Sequence, residues 1–242
     1  MPYRRLPNTD SARTRALKNA VDMGNKTSPR DLAFSQKLLM QIRTFLPSYE
    51  QAILSQRTYQ KAQIEKNKKF QENVRKTRLY LSHFIQVMNM AVMRGEQKPE
   101  IRTFYGIDID DKKVPELNSE KELIKWGKLI IEGEEKRIST GSSPITNPTI
   151  ALVKVHYQDF MRGWQDLQYF NDIFQKAHDK VLTLREEANT LIVDLWNDIE
   201  ENHKMLEPEE AREKSTVYGV KYVYRKNEQI RPFRNINYGV VS

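Results

Sequence analysis

The sequence predicts a mainly α protein: a four-helix bundle of two long αα-hairpins, with an N-terminal helix and a small C-terminal β appendage. Three observations carry this. Apolar residues recur at heptad-like spacing in two long stretches, from Leu32 to Ala91 and from Ile150 to Ile199. Each stretch turns polar near its middle. The composition is polar, with 38% hydrophobic and 30% charged residues, which suits stripes on amphipathic helices better than a layered α/β core.

The chain is expected to form a single domain over 1–242, made of an N-terminal arm and helix (1–27), a first hairpin (28–95), a connector with a short helix (96–147), a second hairpin (148–207) and a β-hairpin-like end (208–242). Thr9 caps the first helix, with Asp10 in its first turn, and Ala12, Leu17 and Val21 mark its course to about Gly24. Ser28-Pro29 reads as the next start, serine at the cap and proline in the first turn. Leu32, Leu39, Leu46 and Ile53 then fall seven apart, and Val74, Leu81 and Met88 resume the register. Ile42, Tyr49, Phe70, Phe84 and Ala91 fill the companion positions, and Pro47 is expected to kink the arm.

Between the two runs lie Gln56, Gln60, Gln63 and Asn67. A helix packed on one partner through this point would bury four amides, so the chain is expected to reverse over 56–69. The same argument, from Asn171 and His178, puts a reversal at 171–180. Two unbroken helices, each roughly 90 Å long, are the competing reading, because neither tip holds Gly or Pro.

In the connector, IRTFYGIDID reads as a strand, and Ser119-Glu120-Lys121-Glu122 as a capping box before a short helix closed by Gly133. Asn147-Pro148 opens the second long segment and Pro208 stops it. TVYGVKYVYR and QIRPF form the β appendage, expected to lie on the bundle or to pair with Ile101–Ile107.

Several chemistries are excluded. With no cysteine, disulfides, thiolate metal sites and thiol nucleophiles are absent. No apolar run is long enough to span a bilayer. The N-terminus lacks the apolar core and cleavage site of a leader, which points to the cytoplasm. A Walker loop does not fit around Gly133 or Gly141. A di-metal bundle needs two Glu-x-x-His pairs, and only Glu200 to His203 offers one. No Gly-x-Ser-x-Gly elbow occurs. No catalytic residue, cofactor or metal is expected.

Three features can carry binding, and the net charge of +8 leans weakly towards an anionic partner. The first is Arg137 with the backbone of Gly141–Ser143, a candidate anion cradle that also reads as a plain connector. The second is the basic cluster Lys61, Lys66, Lys68, Lys69, Arg75, Lys76 and Arg78, diluted by Glu65 and Glu72. The third is the tail, where Lys221, Arg225, Lys226, Arg231 and Arg234 interleave with Tyr218, Tyr222, Tyr224 and Phe233. The expected function is a non-enzymatic interaction or structural role, with a protein partner or self-association. The alternative is an accessory nucleic-acid or ribosome-associated protein using the tail and the Lys61–Arg78 cluster.

The segments MPYRRLPNTDSARTRALKNA, RLYLSHFIQVMNMAVMRGE and SPITNPTIALVKV together resemble a group of uncharacterised bacterial helical proteins. That resemblance implies a bacterial, cytoplasmic unit spanning the whole chain, and carries no activity, cofactor or partner.

Overall fold

The computed structural model describes residues 2–224. Five α-helices are found among them: α1 (Asp10–Lys26), α2 (Gln36–Met93), α3 (Glu120–Ser139), α4 (Ile150–Asn202) and α5 (Pro208–Val217). A 3-10 helix covers Pro99–Tyr105, and β1 (Tyr3–Arg4) and β2 (Tyr222–Val223) form a two-stranded antiparallel sheet. The protein is a helical bundle with a small β appendage.

The two long segments are unbroken helices. α2 has 58 residues and passes through Pro47, and α4 has 53. The reversals expected at 56–69 and 171–180 do not occur, because the polar intervals of the two helices satisfy each other. Gln56 Nε2 lies 2.7 Å from His178 Nδ1, and Gln63 Nε2 donates to Asn171 Oδ1 at 2.7 Å. Gln60 and Asn67 are exposed. Only two of the four amides are withdrawn from water, and both have partners, so the desolvation cost that argued for a turn is offset.

The chain forms two compact units. One comprises the residues up to Gln56 and those from Ala177 onward; the other is Arg57–Lys176. The core of the first unit joins Leu17 and Ala20 of α1 to Leu39, Ile42, Leu46 and Tyr49 of α2, and to Val181, Ala188, Ile192, Leu195 and Ile199 of α4. The core of the second joins Phe70, Leu81, Phe84 and Met88 of α2 to Leu123 and Ile130 of α3 and Val153 and Phe160 of α4. Each unit is therefore built around three helices, with α2 and α4 contributing to both. A fully buried Leu or Phe contributes about 1.5–3 kcal/mol, so these stripes hold each unit together.

Helix ends follow local chemistry. Thr9 Oγ1 accepts the Ala12 amide at 3.2 Å, and Ser119 Oγ accepts that of Glu122 at 3.2 Å. Glu122 itself turns to the Trp126 indole, 3.0 Å away. α2 begins at Gln36 rather than after Ser28, with Ser35 Oγ accepting the Leu38 amide at 3.4 Å. Ser28 Oγ instead holds the Arg30 amide in a turn at 3.3 Å, and Leu32, Ala33 and Phe34 drop into the core. Asn147 has φ 56°, the left-handed region rather than the extended form of a helix cap. Thr149 Oγ1 takes the Leu152 amide at 3.4 Å, and α4 begins at Ile150.

Four further expectations are corrected. The first half of the segment expected as a strand, from Ile101 to Tyr105, belongs to the 3-10 helix, opened by Pro99 and ended by Gly106 at φ 69°; Ile101, Tyr105 and Ile107 are buried in the core, whereas Thr103 and Ile109 are exposed. Gly133 does not close α3, which runs on to Ser139. A Cβ on Gly133 would sit 2.3 Å from the Phe104 carbonyl oxygen, so glycine there lets the 3-10 backbone cross the helix. Pro208 opens α5 rather than only stopping α4. β2 pairs with β1, Tyr3 opposite Val223 and Arg4 opposite Tyr222, and not with Ile101–Ile107; QIRPF lies outside the described residues.

Candidate interaction surfaces

The basic cluster lies in the second unit, along α2. From Arg57 to Arg78 the helix carries eight cations against two carboxylates, Glu65 and Glu72. Arg57, Lys61, Lys68 and Arg75 fall within about 40° of one another around the helix axis, spread over roughly 27 Å of its length. All four are exposed. Lys68, Lys69 and Lys76 are exposed as well, whereas Lys66 is half-buried and bound to Asp166 at 2.8 Å. Arg78 is turned to the connector, donating to Leu117 O at 2.8 Å and Asn118 O at 3.1 Å. Phe70 stacks on Phe160 in the core, centroids 5.5 Å apart, so no base can stack on it.

Arg137 stands apart from these. Its side chain and that of Glu134 are fully buried, with Nε to Glu134 Oε2 at 2.7 Å and Nη2 to Oε1 at 2.9 Å. Nη2 also donates to Ser143 O at 2.7 Å, and Nε reaches the Tyr105 hydroxyl at 3.0 Å. Tyr105 donates to Glu134 Oε2, and the Ile145 amide donates to Oε1 at 2.8 Å. Burial opposes ionisation of Glu134, but the hydrogen bonds from Arg137, Tyr105 and Ile145 outweigh it and hold the carboxyl below its ordinary range. Burial, then the Glu134 carboxylate, pushes the Tyr105 hydroxyl upward. Arg137 Nη1 is buried without a partner. The guanidinium is thus closed on a carboxylate and a carbonyl, and it ties α3 to the 3-10 helix and the 143–145 loop rather than meeting solvent.

A similar brace uses Arg102, only 2% exposed. It donates to Asn89 Oδ1 at 2.8 Å and Ile109 O at 2.6 Å, and Asn89 donates to Lys112 O at 3.1 Å. These bonds fasten the 107–113 loop to α2. In the first unit Asp10 clasps Arg185, and the Tyr49 hydroxyl donates to it at 2.9 Å. Glu200 and His203, the lone Glu-x-x-His, are engaged elsewhere. Glu200 takes Arg4 at 3.1 Å and Tyr222 at 2.7 Å, and His203 Nδ1 lies 3.0 Å from Ser215 Oγ. Burial, helped by Lys214, lowers the proton affinity of His203. Among the described residues no group of three or more His, Asp or Glu side chains is placed to hold a metal ion.

Of the tail, Lys221 is exposed and its carbonyl accepts the Arg5 amide at 2.8 Å. Arg225, Lys226, Arg231 and Arg234 lie outside the described residues.

Sequence reasoning passed over one surface. In α4, residues 186–202 hold six carboxylates and no cation. Glu187, Asp194 and Glu201 are seven apart, exposed, and within about 40° on the helix. The signal lies in EEANTLIVDLWNDIEEN, where the carboxylates interleave with the apolar stripe of the helix. Beside Glu187 a shallow groove is lined by Lys37, Met40, Thr44, Phe45 and Leu191.

No protein-family model matches the chain, and neither the curated proteins nor the solved structures yield a match. No described helix is long and apolar enough to cross a membrane.

Proposed function

We propose that the chain is a non-enzymatic interaction protein that presents the outer faces of its long helices to another protein chain. One observation carries this reading. The buried ionisable groups Glu134, Arg137 and Arg102 are spent on bracing the fold, while the outer faces of α2 and α4 carry exposed charged rows with large apolar side chains beside them. Ile64, Leu79, Met90 and Met93 on α2 are each more than half exposed. A rigid helix edged in charge and dotted with apolar side chains is chemistry for docking rather than for turnover. Lysine-directed cross-linking in cells that make the protein tests it. Cross-links from Lys61, Lys68, Lys69 or Lys76 into another polypeptide, or into a second copy, are expected. Cross-links confined to one copy of the chain would end this reading.

A second reading is supported by the concentration of eight cations over 57–78: an accessory nucleic-acid-binding protein, in which the row from Arg57 to Arg75 follows a phosphate backbone. It requires binding to labelled RNA or DNA at near-physiological salt that is lost in Lys61→Glu, Lys68→Glu, Arg75→Glu. Binding seen only at low salt and unchanged by the substitutions would dismiss it.

A further inference from the structure

The cationic row of α2 and the acidic row of α4 have the same spacing. Lys61, Lys68 and Arg75 are seven residues apart, as are Glu187, Asp194 and Glu201. Seven residues are about 10.5 Å along a helix, so the two rows match position for position. They belong to different compact units, and all six residues are exposed. We propose that the partner of this chain is a second copy of itself, docked by the α2 row of one copy on the α4 row of the other. The proposal rests on the reading of the chain as an interaction protein and names its partner.

Pairing the helices in parallel sets Lys61 against Glu187, Lys68 against Asp194 and Arg75 against Glu201. In that register Ile64, 62% exposed, falls within one residue of Leu191. Leu191 lines the groove that also holds Met40 and Phe45. An apolar side chain between two cations thus meets a groove that holds Met40, Phe45 and Leu191 beside the Glu187 carboxylate. Met40, 58% exposed, gains cover from the same contact. The charges provide register and encounter rate, and burial of Ile64 and Met40 provides affinity.

Neighbouring charges temper the contrast without cancelling it. Glu65 and Glu72 flank the cationic row, Lys37 borders the groove, and Glu201 is paired with Lys204 in the turn just past the end of α4. These exposed pairs are weak and exchange readily with a partner's charge. Because every copy carries both rows, reciprocal docking closes a two-fold dimer, whereas one-way docking builds chains.

Sedimentation of the full chain from about 1 to about 100 µM, at about 50 and about 500 mM salt, tests the proposal. Native protein is expected to self-associate at low salt and to weaken roughly tenfold or more at high salt. Two charge-reversed chains follow, one with Lys61→Glu, Lys68→Glu and Arg75→Glu, the other with Glu187→Lys, Asp194→Lys and Glu201→Lys. Each alone, with helical content intact by circular dichroism, is expected to associate at least tenfold more weakly. An equal mixture of the two restores opposite charges at both rows and is expected to recover association to within about threefold of native. Monomeric native protein at low salt, or a mixture no tighter than its components, overturns the proposal. Cross-links in cells to a different polypeptide would then leave the interaction reading standing, and an absence of any interchain cross-link would remove both.

Discussion

Asp10 holds Arg185 through both carboxylate oxygens, Oδ1 to Nε and Oδ2 to Nη2, each at 2.7 Å. The same carboxylate takes the Tyr49 hydroxyl at 2.9 Å and stands 3.7 Å from Arg13. One side chain at the start of α1 thus fastens α2 and α4 to it, and its negative charge also favours the helix N-terminus.

Asp10→Ala is therefore expected to destabilise the first unit by roughly 2–3 kcal/mol, leaving Arg185 and Tyr49 without their acceptor. Hydrogen exchange should show the loss over α1 and Gln36–Gln56 while Arg57–Lys176 keeps its protection. The Arg185 hydrogen bonds outweigh burial and, with Tyr49, lower the proton affinity of Asp10. Its folded pKa therefore lies below the unfolded value of about 3.9. The stabilisation is complete above that value and drains away as pH falls through the folded one. Acid unfolding of the native protein should be steeper below about pH 4 than that of Asp10→Asn.

Glu134 and Arg137 form a pair with no access to water. Removing either partner strands a buried charge, so Glu134→Ala and Arg137→Ala are each expected to cost about 3 kcal/mol or more. Removing both leaves neither charge stranded, and the double variant should fall short of the sum by roughly 2 kcal/mol. Denaturant titration of the four proteins gives the coupling directly. Additive losses would mean that the two side chains do not depend on one another.

Much of the core was legible in the sequence. The heptad positions Leu39, Leu46, Ile53, Val74, Leu81 and Met88 are all buried, because a stripe that repeats every seven residues has one face to bury. Continuity of the helices was not legible, since it depends on whether Gln56 and Gln63 meet partners 122 and 108 residues away. A single helix seen alone cannot reveal such partners. The basic cluster was legible as composition, but its division into exposed Lys68 and internally paired Lys66 is set by the helix phase and by Asp166. Arg137 was misplaced for a related reason. A Ser/Thr/Gly-rich loop looks solvent-facing, and only the fold brings Glu134 and Tyr105 around the guanidinium.

The Gln63–Asn171 bond gives a direct check on helix continuity. Gln63→Ala leaves Asn171 Oδ1 half-buried and unpaired, at an expected cost of about 1 kcal/mol. Replacing both residues with Leu removes the polar groups from the interface and should be neutral or stabilising. If the chain reversed near 56–69 instead, Gln63 would be at a solvated tip and neither change would register in thermal unfolding.

Gly133 offers the sharpest steric test. A methyl group there would lie 2.3 Å from Phe104 O and 2.9 Å from the Tyr105 ring. The first contact is backbone and cannot rotate away, so α3 and the 3-10 helix must separate. Gly133→Ala is expected to cost roughly 2–3 kcal/mol, although alanine is intrinsically the better helix former by about 1 kcal/mol. Gly127 is the comparison. Its Cβ would meet the Tyr157 ring at 2.3 Å, but that contact is with a half-buried side chain, held by one hydrogen bond to Ile124 O, rather than with backbone. Gly127→Ala should therefore lose less. Separation at Gly133 also pulls Tyr105 away from Glu134, so the 3-10 segment and the 143–145 loop should exchange amide hydrogens faster. Equal stability of the two alanine variants would mean that α3 and the 3-10 helix do not touch at Gly133.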